Sequence, residues 1–198
     1  MWNLKDKTVV ITGATNGIGK AAALELAKQG PKLLLTFRNQ ELADNLLAEI
    51  KTAAPDVSVE LIYCDFSMQS SIRECSKEII ASQDKIDVLI NNAGVVNTSY
   101  HETSEGIENT FAVNHLGYFL FTNLLLNKMK GPEESRIINV SSAAHSFVKD
   151  MNWENINFKD DFGQGMQVYG QSKLANLLFT RHLACLLYTS PSPRDVEE

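Results

Sequence analysis

The stretch KTVVITGATNGIGKAAALELA (7–27) decides how the rest of the chain is read. KTVVIT is a β-branched run without polar alternation, the pattern of a short strand buried on both faces. Ile18, Ala22 and Leu26 then recur at helical spacing, and Gly30 with Pro31 stops that helix. Between the two lies TGATNGIG (12–19), with glycines at G-x-x-x-G-x-G spacing. Gly13 permits the tight turn, Gly17 lets backbone approach a phosphate, and Gly19 lets helix and strand pack closely. The helix start adds unpaired N–H groups and a positive dipole end, so the segment reads as a cradle for a dinucleotide's pyrophosphate. A bare glycine turn is the plainer alternative, and the strand–turn–helix context argues against it.

Outward from this turn the pattern alternates. KLLLTF (32–37) predicts a second strand and QELADNLLAEIK (40–51) a second helix. VSVELIYC (57–64) predicts a third strand, followed by a helix over 68–82 that Ser67 could cap. IDVLINN (86–92) reads as a fourth strand, a long apolar helix lies within 103–129, RIINVSS (136–142) is a fifth strand, and a last helix covers 166–187. Strands alternating with helices imply a parallel sheet with right-handed crossovers, a doubly wound α/β fold of Rossmann type. Ligands of such sheets bind outside the carboxyl ends of the strands. TGATNGIG, FRN, CDFS, NNAG and SSAAH all follow strand ends and are expected along one edge. Residues 143–165 read as a long polar loop anchored by Trp153 and Phe158.

The chain has 198 residues, 44% of them hydrophobic and 21% charged, and no internal repeat or linker, which predicts one domain with a substantial core. A net charge of −6 with no basic stripe argues against a nucleic-acid partner. Cys64, Cys75 and Cys185 form no C-x-x-C pair, which suggests a reducing compartment and neither a disulfide framework nor a metal site. MWNLKDKTVVITG lacks the basic and apolar regions of a signal peptide. FAVNHLGYFLFTNLLL carries Asn114, His115 and Asn123 and falls short of the ~20 residues of a membrane span. Together these predict a cytoplasmic protein without a transmembrane segment.

Several residues invite chemistry. Arg38 follows the second strand where an NAD enzyme usually has a carboxylate for the ribose, and its guanidinium would suit a 2′-phosphate; a solvated surface arginine is the alternative. Asp65 is placed to accept from an adenine amino group, or to cap the helix beginning nearby. Gly94 allows close approach on the nicotinamide side, and Asn91 and Asn92 can bridge backbone groups between strands. Asn114, in the most apolar helix, is either a satisfied core amide or the holder of a water or a helix kink. Ser142 could orient a carbonyl oxygen, with Ser141 as its rival. His145 lacks an acidic orienting partner and reads as a loop histidine. Tyr169 and Lys173 in YGQSK project from one helix face at i and i+4. A neighbouring ammonium can bring a phenol, ordinarily near pKa 10, within reach of acid–base work.

With TGATNGIG, CDFS, NNAG, VNHLG, RIINVSS and YGQSK in that order, the chain from residue 7 to about 184 resembles the short-chain dehydrogenase/reductase family. NVSSAAH, VNHLGYFLFTNLLL and SKLANLLFTRHLA are most similar to its retinol-dehydrogenase-like branch. The resemblance implies a catalytic tetrad of Asn114, Ser142, Tyr169 and Lys173. It also implies NADP(H) held by Gly13, Thr15, Asn16, Gly17, Ile18, Gly19, Arg38, Asp65, Phe66, Asn92, Ala93 and Gly94, with Tyr169 and Lys173. A small carbonyl or alcohol substrate and a homo-oligomeric full-length form are expected on the same ground. After RHLA the resemblance ends. CLLYTSPSPRDVEE (185–198) reads as a disordered, non-family tail in place of the family's last strands and lid. The expectation is therefore an incomplete catalytic domain over 1–184, with a poorly covered fifth strand and exposed apolar surface on the last helix. A catalytically inactive nucleotide-binding fragment is the alternative.

Overall fold

In the computed structural model, which describes residues 3–129 and 135–189, the apolar runs form five strands: β1 Thr8–Ile11, β2 Lys32–Phe37, β3 Ser58–Tyr63, β4 Val88–Asn91 and β5 Arg136–Asn139. The helices are α1 Gly17–Ala27, α2 Gln40–Ala53, α3 Gln69–Ser82, α4 Asn109–Phe111, α5 Gly117–Leu125 and α6 Met166–Thr189. The sheet order is β3-β2-β1-β4-β5, and all four pairings are parallel. Winding therefore runs one way from β1 to β3 and the other way from β4 to β5, which makes the β1–β4 gap the switch point.

The strands lack polar alternation because both sheet faces are covered. Val10, Leu34, Ile62 and Leu89 point to the side of α3 and α5, where Ile72, Ile79, Tyr118, Phe121 and Leu125 complete one core. Val9, Ile11, Leu33, Leu35 and Val88 point to the other side, against Ala23, Ala27, Leu46 and Ile50 of α1 and α2. The two sets alternate with the strand period of two. Each buried aliphatic side chain contributes about 1.5–3 kcal/mol against exposure.

Several elements differ from the sequence reading. The buried face of α1 is Gly19, Ala23 and Ala27, and Ile18 at its start is 72% exposed. Small side chains face the sheet because a Cβ on Gly19 would collide with the Gly13 carbonyl oxygen and the Asn92 side-chain amide. Ser67 does not cap α3. Its amide and hydroxyl both donate to Asp65 Oδ1, and the first amide of α3, Gln69 N–H, donates to the Glu105 carboxylate from across the fold.

The apolar helix starts only at Asn109, where the buried Glu108 carboxylate accepts from the Thr110 and Phe111 amides at 2.8 and 2.7 Å. Residues before it fold into a turn closed by the Glu102–Glu108 bridge. A π-helical turn, Ala112–Leu116, separates α4 from α5, and a 3₁₀ turn, Leu126–Lys128, ends α5.

The 143–165 segment opens with a 3₁₀ turn, Ala143–Phe147. Phe158 is a buried anchor against Phe162 and Val168, but Trp153 is 70% exposed. Met151, packed on Phe111 and Ala175, takes the second anchoring place. The last helix continues beyond residue 184 to Thr189, since no proline or glycine interrupts it before Pro191; residues 190–198 of the expected tail lie outside the described residues. Among the described residues β5 pairs with β4 alone. Ile138 of β5 and Leu177, Leu178, Leu186 and Leu187 of α6 are exposed. No helix among the described residues is long and apolar enough to cross a membrane.

Candidate active site

A cavity of about 740 Å³ runs along the carboxyl ends of the strands, a volume within the range of roughly 300–1,000 Å³ usual for small-molecule sites. Every site residue expected from sequence lines it except Gly19 and Asn114. At one end the glycine turn is stitched to the loop after β4. Gly13 has φ +62°, and a Cβ there would stand 2.7 Å from the Ala93 Cα. Thr12 Oγ1 accepts from the Asn92 and Ala93 amides at 2.8 and 3.0 Å. The Asn92 side chain donates back to the Thr12 and Gly13 carbonyls at 3.0 and 3.1 Å, the interstrand bridge its position suggested. Asn91 instead bonds side chains, Thr122 of α5 at 2.8 Å and Asn139 of β5 at 2.7 Å.

The turn leaves donors facing outward. Asn16 Oδ1 accepts the Gly17 amide at 2.9 Å, and Lys20 N–H donates to the Asn16 carbonyl. The Ile18 and Gly19 amides find no acceptor among the described residues, so the N-terminus of α1 presents free N–H groups beside Thr15, as an anion site requires. Thr12 and Thr36 were not picked out from the sequence. Thr36 Oγ1 accepts the Gly13 amide at 3.3 Å. Hydroxyl residues at the ends of adjacent parallel strands are the signal that could have found both.

Midway, exposed Arg38 lines the cavity beside Phe37 and makes no ion pair among the described residues. Both bonds to the Asp65 carboxylate end on Oδ1, which leaves Oδ2 as an acceptor. The sequence offered Asp65 as a helix cap or as a ligand group; it closes a local turn with one oxygen and retains the other. Phe66 is fixed edge-on to Phe121, with ring centroids 5.4 Å apart.

At the far end stand Gly94, Ser142, Tyr169 and Lys173. Lys173 is only 3% exposed, and burial lowers its ammonium from 10.5 to about 8. Its Nζ donates to the Val140 carbonyl at 3.2 Å and lies 5.5 Å from the Tyr169 ring centroid. A Cβ on Gly94 would lie 3.8 Å from that nitrogen, so the loop after β4 passes close over it. The two serines are distinguished by their bonds. Ser141 donates to the Lys173 backbone carbonyl at 2.9 Å and ties β5 to α6. Ser142 accepts from the Ala144 amide at 3.2 Å, and its own O–H has no acceptor among the described residues. His145 follows in the 3₁₀ turn, with Nδ1 2.8 Å from the Ser142 carbonyl oxygen.

Asn114 is fully buried in the π-helical turn and does not touch the cavity. Its Oδ1 accepts from the Val95 amide at 2.8 Å, and its Nδ2 donates to the Val95 carbonyl at 2.9 Å and Ser172 Oγ at 3.1 Å. It is thus a satisfied amide at a helix distortion, clamping the loop after β4 to α6.

The described geometry has counterparts among known proteins. The family model for short chain dehydrogenase matches residues 7–154. Human retinol dehydrogenase 13 is 42% identical over 182 residues, which cover 90% of this chain and 54% of that protein; the chain spans about half the length of the curated relatives it matches. An uncharacterized protein from Mycobacterium paratuberculosis superposes with a TM-score of 0.80 at 36% identity, covering 96% of this chain and 66% of that one. A metagenomic short-chain oxidoreductase in complex with NADP gives a TM-score of 0.75 at 28% identity, covering 94% and 79% of the two chains. A parallel sheet in 3-2-1-4-5 order, a glycine turn at its switch point and a matching model over most of the length agree: the chain belongs to the short chain dehydrogenase family.

Proposed function

We propose that this chain is an oxidoreductase that interconverts a carbonyl compound and its alcohol with NADP(H), using Tyr169 as the general acid/base. One observation carries the reading: the Tyr169–Lys173 pair stands on the wall of the same cavity that begins at the phosphate-type turn. The residues fit the dinucleotide. The free amides at the start of α1 suit the pyrophosphate, Arg38 suits a ribose 2′-phosphate, Asp65 Oδ2 suits an adenine amino group, and Gly94 leaves room on the nicotinamide side. The NADP complex of the metagenomic relative supports the same choice.

When bound, the nicotinamide supplies or accepts the hydride. In reduction Tyr169 gives its hydroxyl proton to the carbonyl oxygen, and in oxidation it takes that proton back. Lys173, its Nζ 5.5 Å from the Tyr169 ring centroid, would hold the nicotinamide ribose and place a positive charge beside the reacting phenol. Ser142, with its O–H uncommitted, donates a hydrogen bond to the reacting oxygen. Asn114 uses its whole side chain to fix the loop over Lys173. Its backbone carbonyl accepts from the Asn176 side-chain amide at 2.9 Å, and in this reading Asn114 would keep a relay water near Lys173.

A nucleotide-binding chain without turnover is the competing reading, favoured by β5, close to Ser142, which among the described residues pairs with β4 alone. Cofactor absorbance with a panel of ketones and aldehydes, run beside thermal shift with NADPH and NADH, separates the two. Turnover supports the enzyme reading, and a shift without turnover supports its competitor. No shift with either cofactor contradicts both.

A further inference from the structure

The Lys173 ammonium is buried with one hydrogen bond among the described residues, from Nζ to the Val140 carbonyl. Two aromatic faces bracket it. Tyr169 lies one turn back on its own helix with its centroid 5.5 Å away, and Tyr118 of α5 lies 5.9 Å away. Both fall within the ~6 Å over which a ring quadrupole attracts a cation. Tyr118 is wholly buried, and its hydroxyl has no hydrogen-bond partner among the described residues. A hydroxyl left unpaired in a core is unfavourable, so what the site gains from this residue resides in its ring.

We propose that Tyr118 is a positioning residue whose ring face holds the Lys173 ammonium against Tyr169. The role of that ammonium rests on the oxidoreductase reading above; the contact itself does not. The titratable groups facing Lys173 are Tyr118 from α5 and Tyr169 from α6. β5 contributes the Val140 carbonyl, and the loop after β4 contributes Gly94. Among the described residues, charged Lys173 therefore has no carboxylate against it and depends on carbonyl and ring faces. Burial, with a further contribution from Tyr169, raises the Tyr118 hydroxyl well above the usual phenol range.

The test reads Lys173 directly, by titrating the full chain labelled with carbon-13 at the lysine Cε and observed by NMR. Lys173→Arg removes one resonance and so assigns it. Tyr118→Phe keeps the ring and is expected to leave the titration unchanged. Tyr118→Met keeps the volume but loses the ring face, and Lys173 is expected to titrate lower by roughly half to one and a half pH units. An unchanged or higher value in Tyr118→Met, or an equal drop in Tyr118→Phe, overturns the proposal. Absence of turnover in the unaltered chain would contradict the oxidoreductase reading while leaving this readout intact.

Discussion

At the scale of single residues, the site depends on groups that are committed and groups that are not. Ser141 and Asn114 spend their side chains on structure, whereas Arg38, Ser142 and one oxygen of Asp65 remain available. Arg38 gives the cleanest residue-level prediction. If its guanidinium pairs with a ribose phosphate, Arg38→Ala weakens NADPH binding about 10- to 100-fold, the equivalent of ~1.5–3 kcal/mol, and changes NADH binding little. Equilibrium titration with both cofactors checks this; equal losses for the two would place Arg38 outside the recognition of phosphate. Tyr169, Lys173 and the glycines could be picked out from the sequence because their spacing carries a mechanism. Thr12 and Thr36 carried only the weaker signal of hydroxyls at strand ends, and Tyr118 carried none. Their importance lies in partners about 80, 23 and 55 positions away, brought together only when parallel strands and helices pack.

At the scale of elements, five strands and most helices followed from apolar runs and stop signals, and the misreadings share one cause. Sequence periodicity gives the presence of a helix more securely than its inward face or its cap. Ile18, Ala22 and Leu26 mark α1, but close approach of Gly19 to Gly13 turns a small-residue face inward. The cap of α3 comes from Glu105, far along the chain. The π-helical turn shows what an uninterrupted apolar run conceals. There Asn176 donates its amide to the Asn114 carbonyl at 2.9 Å, so its oxygen faces His115 Nδ1 at 3.0 Å. Burial lowers the His115 imidazole below its ordinary 6.5, with the Asn176 bond opposing. The unfolded chain therefore binds more protons than the folded one once pH falls below about 6.5, and this histidine's contribution to stability declines with further acidification. Urea unfolding between neutral and mildly acidic pH is expected to fall more steeply for the unaltered chain than for His115→Gln. Parallel curves would mean that His115 titrates alike in both states.

At the scale of the whole molecule, the doubly wound order does the functional work. Winding outward in both directions from the β1–β4 gap brings the glycine turn and the Tyr169–Lys173 face to one cavity, although they are about 150 residues apart in sequence. Two cores, one on each side of the sheet, hold the strand ends in register. Among the described residues β5 has β4 as its one sheet neighbour, and α6 leaves Leu177, Leu178, Leu186 and Leu187 exposed. The account stands on the shared cavity. The most direct test is Tyr169→Phe, with turnover of a carbonyl substrate and NADPH affinity measured on the same preparation. The account predicts turnover reduced by at least about 10²-fold, as for loss of a positioned acid/base, while affinity stays within a few-fold. Unchanged turnover, or a loss matched by an equal loss of cofactor binding, would contradict it.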